Sequence, residues 1–148
     1  MIEGVILTPQ KHIHVDKGDI YHILKSTDSD YHGFGEVYVS EIHHHEAKGW
    51  KRHNRMTLNI VVLSGKIGFV IYDDRPESQT CGQFMTVVLS KEDNYQRLTL
   101  APGLWMAFYG IASGTSMLLD IIPEVHDPLE ASRKELSEIP FDFSNLHE

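Results

Sequence analysis

Short apolar segments of strand length recur along the whole chain, about one in every ten to fifteen residues. They are rich in valine, isoleucine, tyrosine and phenylalanine, which favour strands. Turn-forming pairs such as Ser64-Gly65 and Pro102-Gly103 lie between them. The pattern predicts an all-β sandwich or barrel, with strands within residues 5–7, 20–24, 34–42, 58–63, 67–72, 84–89, 98–100, 105–111 and 117–122.

The two most apolar segments stand on either side of Gly65. They comprise Leu58–Ser64 and Lys66–Tyr72, and only a very short turn separates them. Such a turn typically joins neighbouring antiparallel strands. We therefore expect these two strands to pair as a hairpin in the core.

A helical signal follows the last predicted strand. Asp127 suits an N-cap, Pro128 suits the first helical position, and Glu130 stands three residues after the cap. This pattern predicts a short helix over residues 128–137. Phe141 and Phe143 follow it, so we expect residues 128–148 to form a helix and an ordered strap across the barrel.

The composition fits one folded domain over residues 1–148. The hydrophobic fraction of 41% can fill a single core, and no repeat or linker is visible. The chain has 13 basic and 21 acidic residues, and its net charge of -8 disfavours binding to nucleic acid or to anionic membranes. The longest aliphatic run, residues 60–63, is far too short for a membrane helix, and Glu3 disfavours a signal peptide. We expect a cytoplasmic protein.

Cys81 is the single cysteine and cannot form an intrachain disulfide. No partner base is evident for it, which favours a strand-edge position over a nucleophile. The ten histidines are the unusual feature of the composition. Residues 43–45 and the pair His12 and His14 are interpreted as surface or interface histidines, because two imidazoles alone do not make a stable metal site.

Polar and titratable side chains are concentrated in residues 48–59. If a strand begins near Trp50, alternation places one set on a single face: Lys51, His53, Arg55, Thr57 and Asn59. The set leads into the most apolar pair of strands, which favours the lumen of a closed sheet. The alternative is a solvated strand face, which is common in antiparallel sheets.

The same segment resembles the first motif of the cupins, with Gly49 at its start and Gly65 at its end, and residues 102–106 resemble the second. Of the four usual ligand positions, this chain keeps His53 and has Arg55, Asn59 and Met106 at the others. A zinc or iron site needs at least three converging donors, and a guanidinium would repel the cation. We therefore expect a cupin barrel with no metal and no other cofactor.

Further motifs follow one another in a characteristic order and spacing, in residues 28–36, 48–53, 72–75, 88–94 and 101–108. Together they resemble the dTDP-4-dehydrorhamnose 3,5-epimerase-like family of sugar-nucleotide epimerases and ketoisomerases. The resemblance covers residues 18–143. It implies a single-domain cupin, a double-stranded β-helix or jelly-roll barrel, and the predicted short C-terminal helix would close it.

The resemblance also implies an activity, the isomerisation of a nucleoside-diphosphate 4-keto-6-deoxyhexose in deoxysugar or surface-polysaccharide biosynthesis. The ketone acidifies the hydrogens on carbons 3 and 5, so a base can remove one and an acid can return it to the other face. His53 matches the family's histidine base. Arg55 is the second candidate catalytic residue, because it could hold the enolate oxygen or a phosphate.

Candidate substrate-binding residues surround these two. Lys51 and Asn59 share their predicted strand face, and the indoles of Trp50 and Trp105 could stack on a base or a sugar. For Trp105, simple core filling is an equal alternative.

The chain departs from the family pattern at two catalytic positions. The family's lysine is not matched after the histidine, and the family's tyrosine is absent from residues 121–127. Tyr109 and His126 are the candidate replacement acids, and the sequence leaves open whether one or two carbons are epimerised. A 3,4-ketoisomerase and a non-catalytic sugar-nucleotide-binding cupin are the alternative functions.

The N-terminal stretch suggests self-association. Residues 1–17 alternate like a strand around Ile13 and Val15, and no partner strand precedes them. We therefore expect them to pair with an exposed edge of a second subunit and to give a homodimer.

Overall fold

The computed structural model describes residues 1–147 and consists of two antiparallel five-stranded sheets packed face to face. The strands are β1 (Val5–Pro9), β2 (His12–Ile13), β3 (Ile20–Tyr21), β4 (Glu36–His43), β5 (Ala47–His53), β6 (Leu58–Ser64), β7 (Lys66–Tyr72), β8 (Phe84–Ser90), β9 (Gln96–Leu100), β10 (Trp105–Gly110), β11 (Thr115–Ile122) and β12 (Ala131–Arg133). Every segment predicted to contain a strand does contain one, which confirms the all-β prediction.

The strand order is that of a jelly-roll-like sandwich. The first sheet runs β1-β9-β6-β11-β4 and the second runs β12-β5-β10-β7-β8, while β2 and β3 form a small separate ribbon. The inward-facing residues of both sheets form the main core, which includes Ile60, Phe69 and Leu118. An antiparallel sandwich buries one face of each sheet in this way.

The predicted hairpin at Gly65 is wrong in its pairing, although both strands have the predicted bounds. β6 pairs with β9 and β11 in the first sheet, whereas β7 pairs with β8 and β10 in the second. Gly65 has a φ of 76°, and a Cβ at this position would lie 2.2 Å from the Ser116 hydroxyl. The Ser116 hydroxyl accepts from the backbone amide of Lys66 and donates to the backbone carbonyl of Lys66. These two bonds fix the chain where it passes from the first sheet to the second.

The outer face of the second sheet carries a second core. Trp50, Trp105 and Val70 point away from the first sheet and pack under the C-terminal segment, which contributes Ile139 and Leu146. Leu136, Phe141 and Phe143 also pack there. The prediction that the tail forms an ordered strap is confirmed.

The predicted helix over residues 128–137 is wrong. Asp127 does cap a turn by accepting from the Leu129 amide, but only the 3-10 turn Pro128–Glu130 forms. β12 follows immediately and pairs with β5. The Glu130 side chain turns inward and is 3% exposed, so its burial and the sheet pairing outweigh a helix of a few turns.

The N-terminal stretch is paired within its own chain. β1 pairs with β9 at one edge of the first sheet, and β2 pairs with β3. Exchange of this stretch with a second subunit therefore stays a prediction. Among residues 1–147, no helix is long and apolar enough to cross a membrane.

Candidate active site

A cavity of about 540 Å³ lies between the two sheets. The second sheet contributes Lys51, His53, Met106 and Phe108 to its wall, and the first sheet contributes Tyr38, Ser40, Leu118 and Asp120. Further residues at the start of the C-terminal segment line it, among them Arg133, Lys134 and Glu135. Its wall thus combines apolar side chains with many polar and charged ones.

A β-bulge in β5 brings two lysines to the same cavity. Met106 of β10 pairs with Lys51, and two residues later Phe108 pairs with Lys48, so β5 holds one extra residue between these pairs. In a regular strand Lys48 and Lys51 would face opposite sides, but both line the cavity. Gly49 permits the bulge, because a Cβ there would lie 2.5 Å from that of Ala107.

His53 is held by a buried carboxylate. Its Nδ1 lies 2.6 Å from Glu130 Oε1, and both side chains are almost fully buried. The other oxygen of Glu130 accepts from the backbone amides of Arg55 and Met56, at 2.7 and 2.9 Å. These bonds fix the carboxylate and therefore orient the imidazole.

The electrostatics of this pair favour a neutral imidazole beside an ionised carboxylate. Burial lowers the pKa of His53, although the hydrogen bond to Glu130 opposes that shift. Burial alone would raise the pKa of Glu130, but the hydrogen bonds from Arg55, His53 and Met56 lower it. Since an ionised carboxylate only accepts, Nδ1 carries the proton and Nε2 is left as the basic nitrogen.

A second titratable pair lies on the opposite wall. The Tyr38 hydroxyl of β4 donates to Asp120 Oδ2 of β11 over 2.9 Å. Burial raises the pKa of Asp120 to about 7, and burial together with the Asp120 charge raises the pKa of Tyr38 above its usual range. The cavity therefore has a basic nitrogen on the second sheet and a hydroxyl-carboxyl pair on the first.

Cationic side chains surround the cavity. Lys51 is half-buried, and burial lowers its pKa. Arg133 is exposed at the margin, and among residues 1–147 its guanidinium forms no hydrogen bond or ion pair. Lys48 donates to the carbonyl of Glu41 at 2.6 Å. Glu135 and Glu138 also line the cavity, so its charges are mixed, with Lys48, Lys51 and Arg133 in slight excess over these two carboxylates. An excess of positive charge on an otherwise acidic protein favours an anionic ligand.

Arg55 does not reach the cavity, and the predicted strand face that included it is wrong. β5 ends at His53 in the second sheet, and the chain turns before β6 begins at Leu58 in the first, so alternation is lost between them. The Arg55 guanidinium is 57% exposed and forms a two-pronged pair with Glu124.

Asn59 also lies outside the cavity. It faces the outer side of the first sheet, where its amide donates to the Asp30 carbonyl and accepts from the Thr99 hydroxyl at 2.7 Å. It therefore anchors the loop that covers this sheet. Its predicted substrate-binding role has no support in this position.

The two tryptophans are core residues of the outer face rather than open stacking platforms. Trp50 contributes to the cavity wall, but it is 1% exposed and its indole N–H donates to the Ile139 carbonyl. Trp105 is 2% exposed and donates its indole N–H to Asp74. For Trp105, the core-filling alternative fits the structure.

Neither candidate replacement acid lies in the cavity wall. Tyr109 packs in the second core, with its ring stacked against Phe143 at 6.1 Å. His126 is exposed in the loop after β11, where its backbone amide donates to Glu36. The tyrosine that the structure brings to the cavity is Tyr38.

Among residues 1–147, no group of three or more histidine, cysteine or carboxylate side chains is arranged to hold a metal ion. His12 and His14 instead contact Asp19 in the exposed β2–β3 ribbon. His44 and His45 stack on each other at the surface with ring centroids 3.5 Å apart. Cys81 is exposed.

Sequence reasoning missed four residues of the candidate site: Tyr38, Asp120 and Arg133 in the cavity wall, and Glu130, which holds His53. Asp120 could have been found from the sequence, because it stands between Leu119 and Ile121 in an apolar strand. Burying a carboxylate there costs free energy, which indicates a functional role. Glu130 and Arg133 fall within the wrongly predicted helix over residues 128–137, so no sequence pattern assigned either of them to the site.

Comparison with known proteins finds no matching family model. A crystal structure of a dTDP sugar isomerase from Desulfovibrio desulfuricans G20 superposes with a TM-score of 0.93 and 30% identity, covering 99% of this chain and 94% of that one. The probable low-salt glycan biosynthesis epimerase Agl13 of Haloferax volcanii is 27% identical over 128 residues, which are 85% of this chain and 80% of that protein.

The fold extends to more distant structures. QdtA, a sugar 3,4-ketoisomerase from Thermoanaerobacterium thermosaccharolyticum crystallised with TDP, has a TM-score of 0.74 at 19% identity, with 90% of each chain covered. At this identity the likeness concerns the fold. The predicted cupin barrel of the epimerase-like type is confirmed.

Proposed function

Because this chain is an isomerase of the dTDP-4-dehydrorhamnose 3,5-epimerase-like family, we propose that it epimerises a nucleoside-diphosphate 4-keto-6-deoxyhexose by enolisation at His53. The observation that carries the proposal is the pair of titratable units on opposite walls of one cavity. One unit is His53 with Glu130, and the other is Tyr38 with Asp120.

His53 acts as the base. Its Nε2 removes the hydrogen beside the ketone, and Glu130 stabilises the imidazolium that forms. Burial lowers the pKa of His53, so the imidazole is neutral and able to accept a proton at neutral pH. Lys51, two residues earlier on the same face of β5, supplies positive charge for the enolate oxygen.

Tyr38 acts as the acid. Epimerisation requires a proton to return to the face opposite the one from which it left, and Tyr38 belongs to the sheet opposite His53. This hydroxyl takes the role for which the sequence suggested Tyr109 or His126. Return to one carbon by one donor supports epimerisation at a single carbon.

Arg133 and the lysines around the cavity bind the diphosphate. Arg133 presents a guanidinium without an acidic partner among the described residues, and a guanidinium matches phosphate oxygens in two-pronged geometry. Lys48 also lines the cavity, whereas the ammonium of Lys134 lies over the Trp105 ring, 5.1 Å from its centroid, and is directed away from the proposed diphosphate site. The nucleoside then extends toward the solvent from this margin.

Deuterium wash-in tests the activity and identifies its type. The protein is incubated in heavy water with dTDP-4-keto-6-deoxyglucose, or with its UDP or CDP counterpart, and the sugar is analysed by NMR and mass spectrometry. We expect deuterium at carbon 3 or carbon 5 with inverted configuration at that carbon. dTDP-glucose, which has no ketone, is the control and should gain none.

Other outcomes distinguish the alternatives. A product whose carbonyl has moved to carbon 3 would identify a 3,4-ketoisomerase, which uses the same enolisation. Binding of the nucleotide sugar without exchange or conversion would contradict the proposed activity and favour a binding module.

The reaction is proposed to be independent of metal. Among residues 1–147 the donors that could join His53 are too few, because no three histidine, cysteine or carboxylate side chains converge, and Lys51 adds positive charge in the same cavity. Elemental analysis of the active protein should find no stoichiometric transition metal, and EDTA should leave the exchange rate unchanged. A tightly bound metal whose removal abolishes exchange would contradict this part of the proposal.

We also propose that the protein is a homodimer. The outer face of β4 exposes Val37 and Val39, and Phe34 stands beside them with 63% of its surface exposed. β4 is an edge strand, so a second copy can pack on this apolar face around a two-fold axis.

Light scattering tests the dimer. The wild-type protein should be a dimer at micromolar concentration, and Val39→Glu should shift it to monomer because the charge would be buried in the interface. Glu41→Gln, on the same strand face, is the matched control and should stay dimeric. A wild-type monomer would contradict the proposal.

A further inference from the structure

Asp120 is the most deeply buried titratable group of the cavity wall, and its bonding is incomplete. Its Oδ2 accepts from the Tyr38 hydroxyl at 2.9 Å, while its Oδ1 has no hydrogen-bond partner. The residue is 4% exposed and stands in the middle of β11, next to the apolar Ile60 of β6. A buried carboxylate with an unpartnered oxygen is costly when it is charged.

The charged groups around Asp120 are few. Tyr38 faces it from β4, and Lys51 approaches from β5 without a hydrogen bond. Arg133 of β12 and Glu36 of β4 act on Tyr38 rather than directly on Asp120. β6 contributes no titratable neighbour at Ile60. Burial therefore outweighs the nearby lysine and raises the pKa of Asp120 to about 7.

We propose that Asp120 is a positioning residue whose protonation decides whether the Tyr38 hydroxyl proton points into the cavity or away from it. The inference rests on the proposed function, because it concerns the acid of that reaction. It assigns a task to a buried carboxylate whose Oδ1 has no hydrogen-bond partner among the described residues.

The two protonation states of Asp120 place the Tyr38 proton differently. An ionised Asp120 only accepts, so it holds the Tyr38 O–H against the first sheet. A protonated Asp120 can donate to the Tyr38 oxygen instead, and the hydroxyl proton is then free to turn toward the substrate. Tyr38 is thus a competent acid only while Asp120 carries a proton.

The protons balance over one turnover. His53 Nε2 takes the proton from the sugar carbon, and Tyr38 gives its proton to the opposite face of the enolate, leaving a phenolate. Asp120 then passes its proton along the 2.9 Å bond to Tyr38 and becomes a carboxylate. Solvent removes the proton from His53 and returns one to Asp120, which restores the starting state.

The pH profile of deuterium exchange tests this role when exchange is counted as deuterium incorporated with inverted configuration, because His53 alone can return deuterium to the face that it deprotonated. Wild-type exchange at limiting substrate should fall about tenfold for each pH unit above the pKa of Asp120, as for one essential acid. Asp120→Asn cannot titrate, so its exchange rate should not fall between pH 7 and 9, whatever its absolute value. Asp16→Asn, a fully exposed substitution, should keep the wild-type profile.

The outcomes separate the inference from the function on which it rests. Absence of exchange in the wild type would contradict the proposed function. Wild-type exchange with the same high-pH fall in Asp120→Asn would leave the function intact and overturn the role of Asp120.

Measurements on the wild type remove the dependence on a folded variant. The Asp120 carboxyl carbon, followed by NMR, should titrate near the pH at which exchange falls. A carboxyl that titrates near the usual aspartate pKa of 3.8 would overturn the inference. If Asp120→Asn folds, the difference between its melting temperature and that of the wild type should shift in favour of the variant as pH rises from 4 to 7. In this window the folded wild type holds a proton that the unfolded chain releases.

Discussion

The two faces of the second sheet differ in how completely their polar groups are bonded. β5 supplies His53 and Lys51 to the inner face and Trp50 to the outer face, while β10 supplies Met106 to the inner face and Trp105 to the outer. On the outer face both indole N–H groups have protein acceptors. On the inner face the basic nitrogen of His53 is directed to a cavity.

Along β5 and β10, residues of the inner face are therefore proposed to serve catalysis and residues of the outer face to serve stability. On the outer face the two indole donors are bonded within the protein and are not available to a ligand. On the inner face, hydrogen-bonding groups remain available to bind a substrate. Substitutions on the inner face should therefore change catalysis with little effect on folding. Substitutions on the outer face should do the reverse.

The largest effect is expected at the cavity tyrosine. Tyr38→Phe removes the proposed acid and should lower turnover by about 10²- to 10⁴-fold. Tyr109→Phe removes a hydroxyl from the outer face and should change turnover by about twofold at most. Steady-state kinetics on both variants decide between them. Equal losses would break the distinction between the two faces.

A smaller effect is expected at the cavity margin. Arg133→Ala removes the proposed arginine-phosphate contact and should raise KM by about ten- to a hundredfold, since hydrogen bonds to charged groups contribute about 1.5–3 kcal/mol. Arg55→Ala should leave KM close to that of the wild type, because its guanidinium is paired with Glu124 outside the cavity. The reverse order would restore Arg55 to the site.

The outer face should respond in stability alone. Trp105→Phe removes the hydrogen bond to Asp74 and some buried area, and should lower the free energy of unfolding by about 1–3 kcal/mol. Chemical denaturation measures this loss. kcat and KM of the folded variant should match the wild type, and a large fall in kcat would mean that the aromatic layer takes part in catalysis.

The strands could be predicted because each is bounded by turn residues and carries a local apolar pattern. Pairing could not, since the turns at residues 54–57 and at Gly65 both carry the chain from one sheet to the other. A short turn looks the same in sequence whether it closes a hairpin or crosses a sandwich. The hairpin prediction and the shared face of His53 and Arg55 were both wrong for this reason.

The candidate site, like the fold, was predictable only where its residues lie close together in the sequence. His53 and Lys51 belong to one strand, so alternation alone placed them together, as the structure does. Glu130 comes to His53 from 77 residues away. Tyr38 and Asp120 meet through the pairing of β4 with β11. Long-range pairings of this kind produce no periodic pattern in the sequence, although a carboxylate within an apolar strand, such as Asp120, indicates a candidate site residue.

His53, in the cavity between the sheets, is the proposed base of this isomerase. The most direct measurement compares deuterium wash-in by the wild type, His53→Ala and His32→Ala on the same 4-keto nucleotide sugar. Loss of the base should slow exchange by about 10²- to 10⁴-fold, while His32→Ala, at an exposed histidine, should exchange at the wild-type rate. A folded His53→Ala variant that exchanges as fast as the wild type would contradict the account.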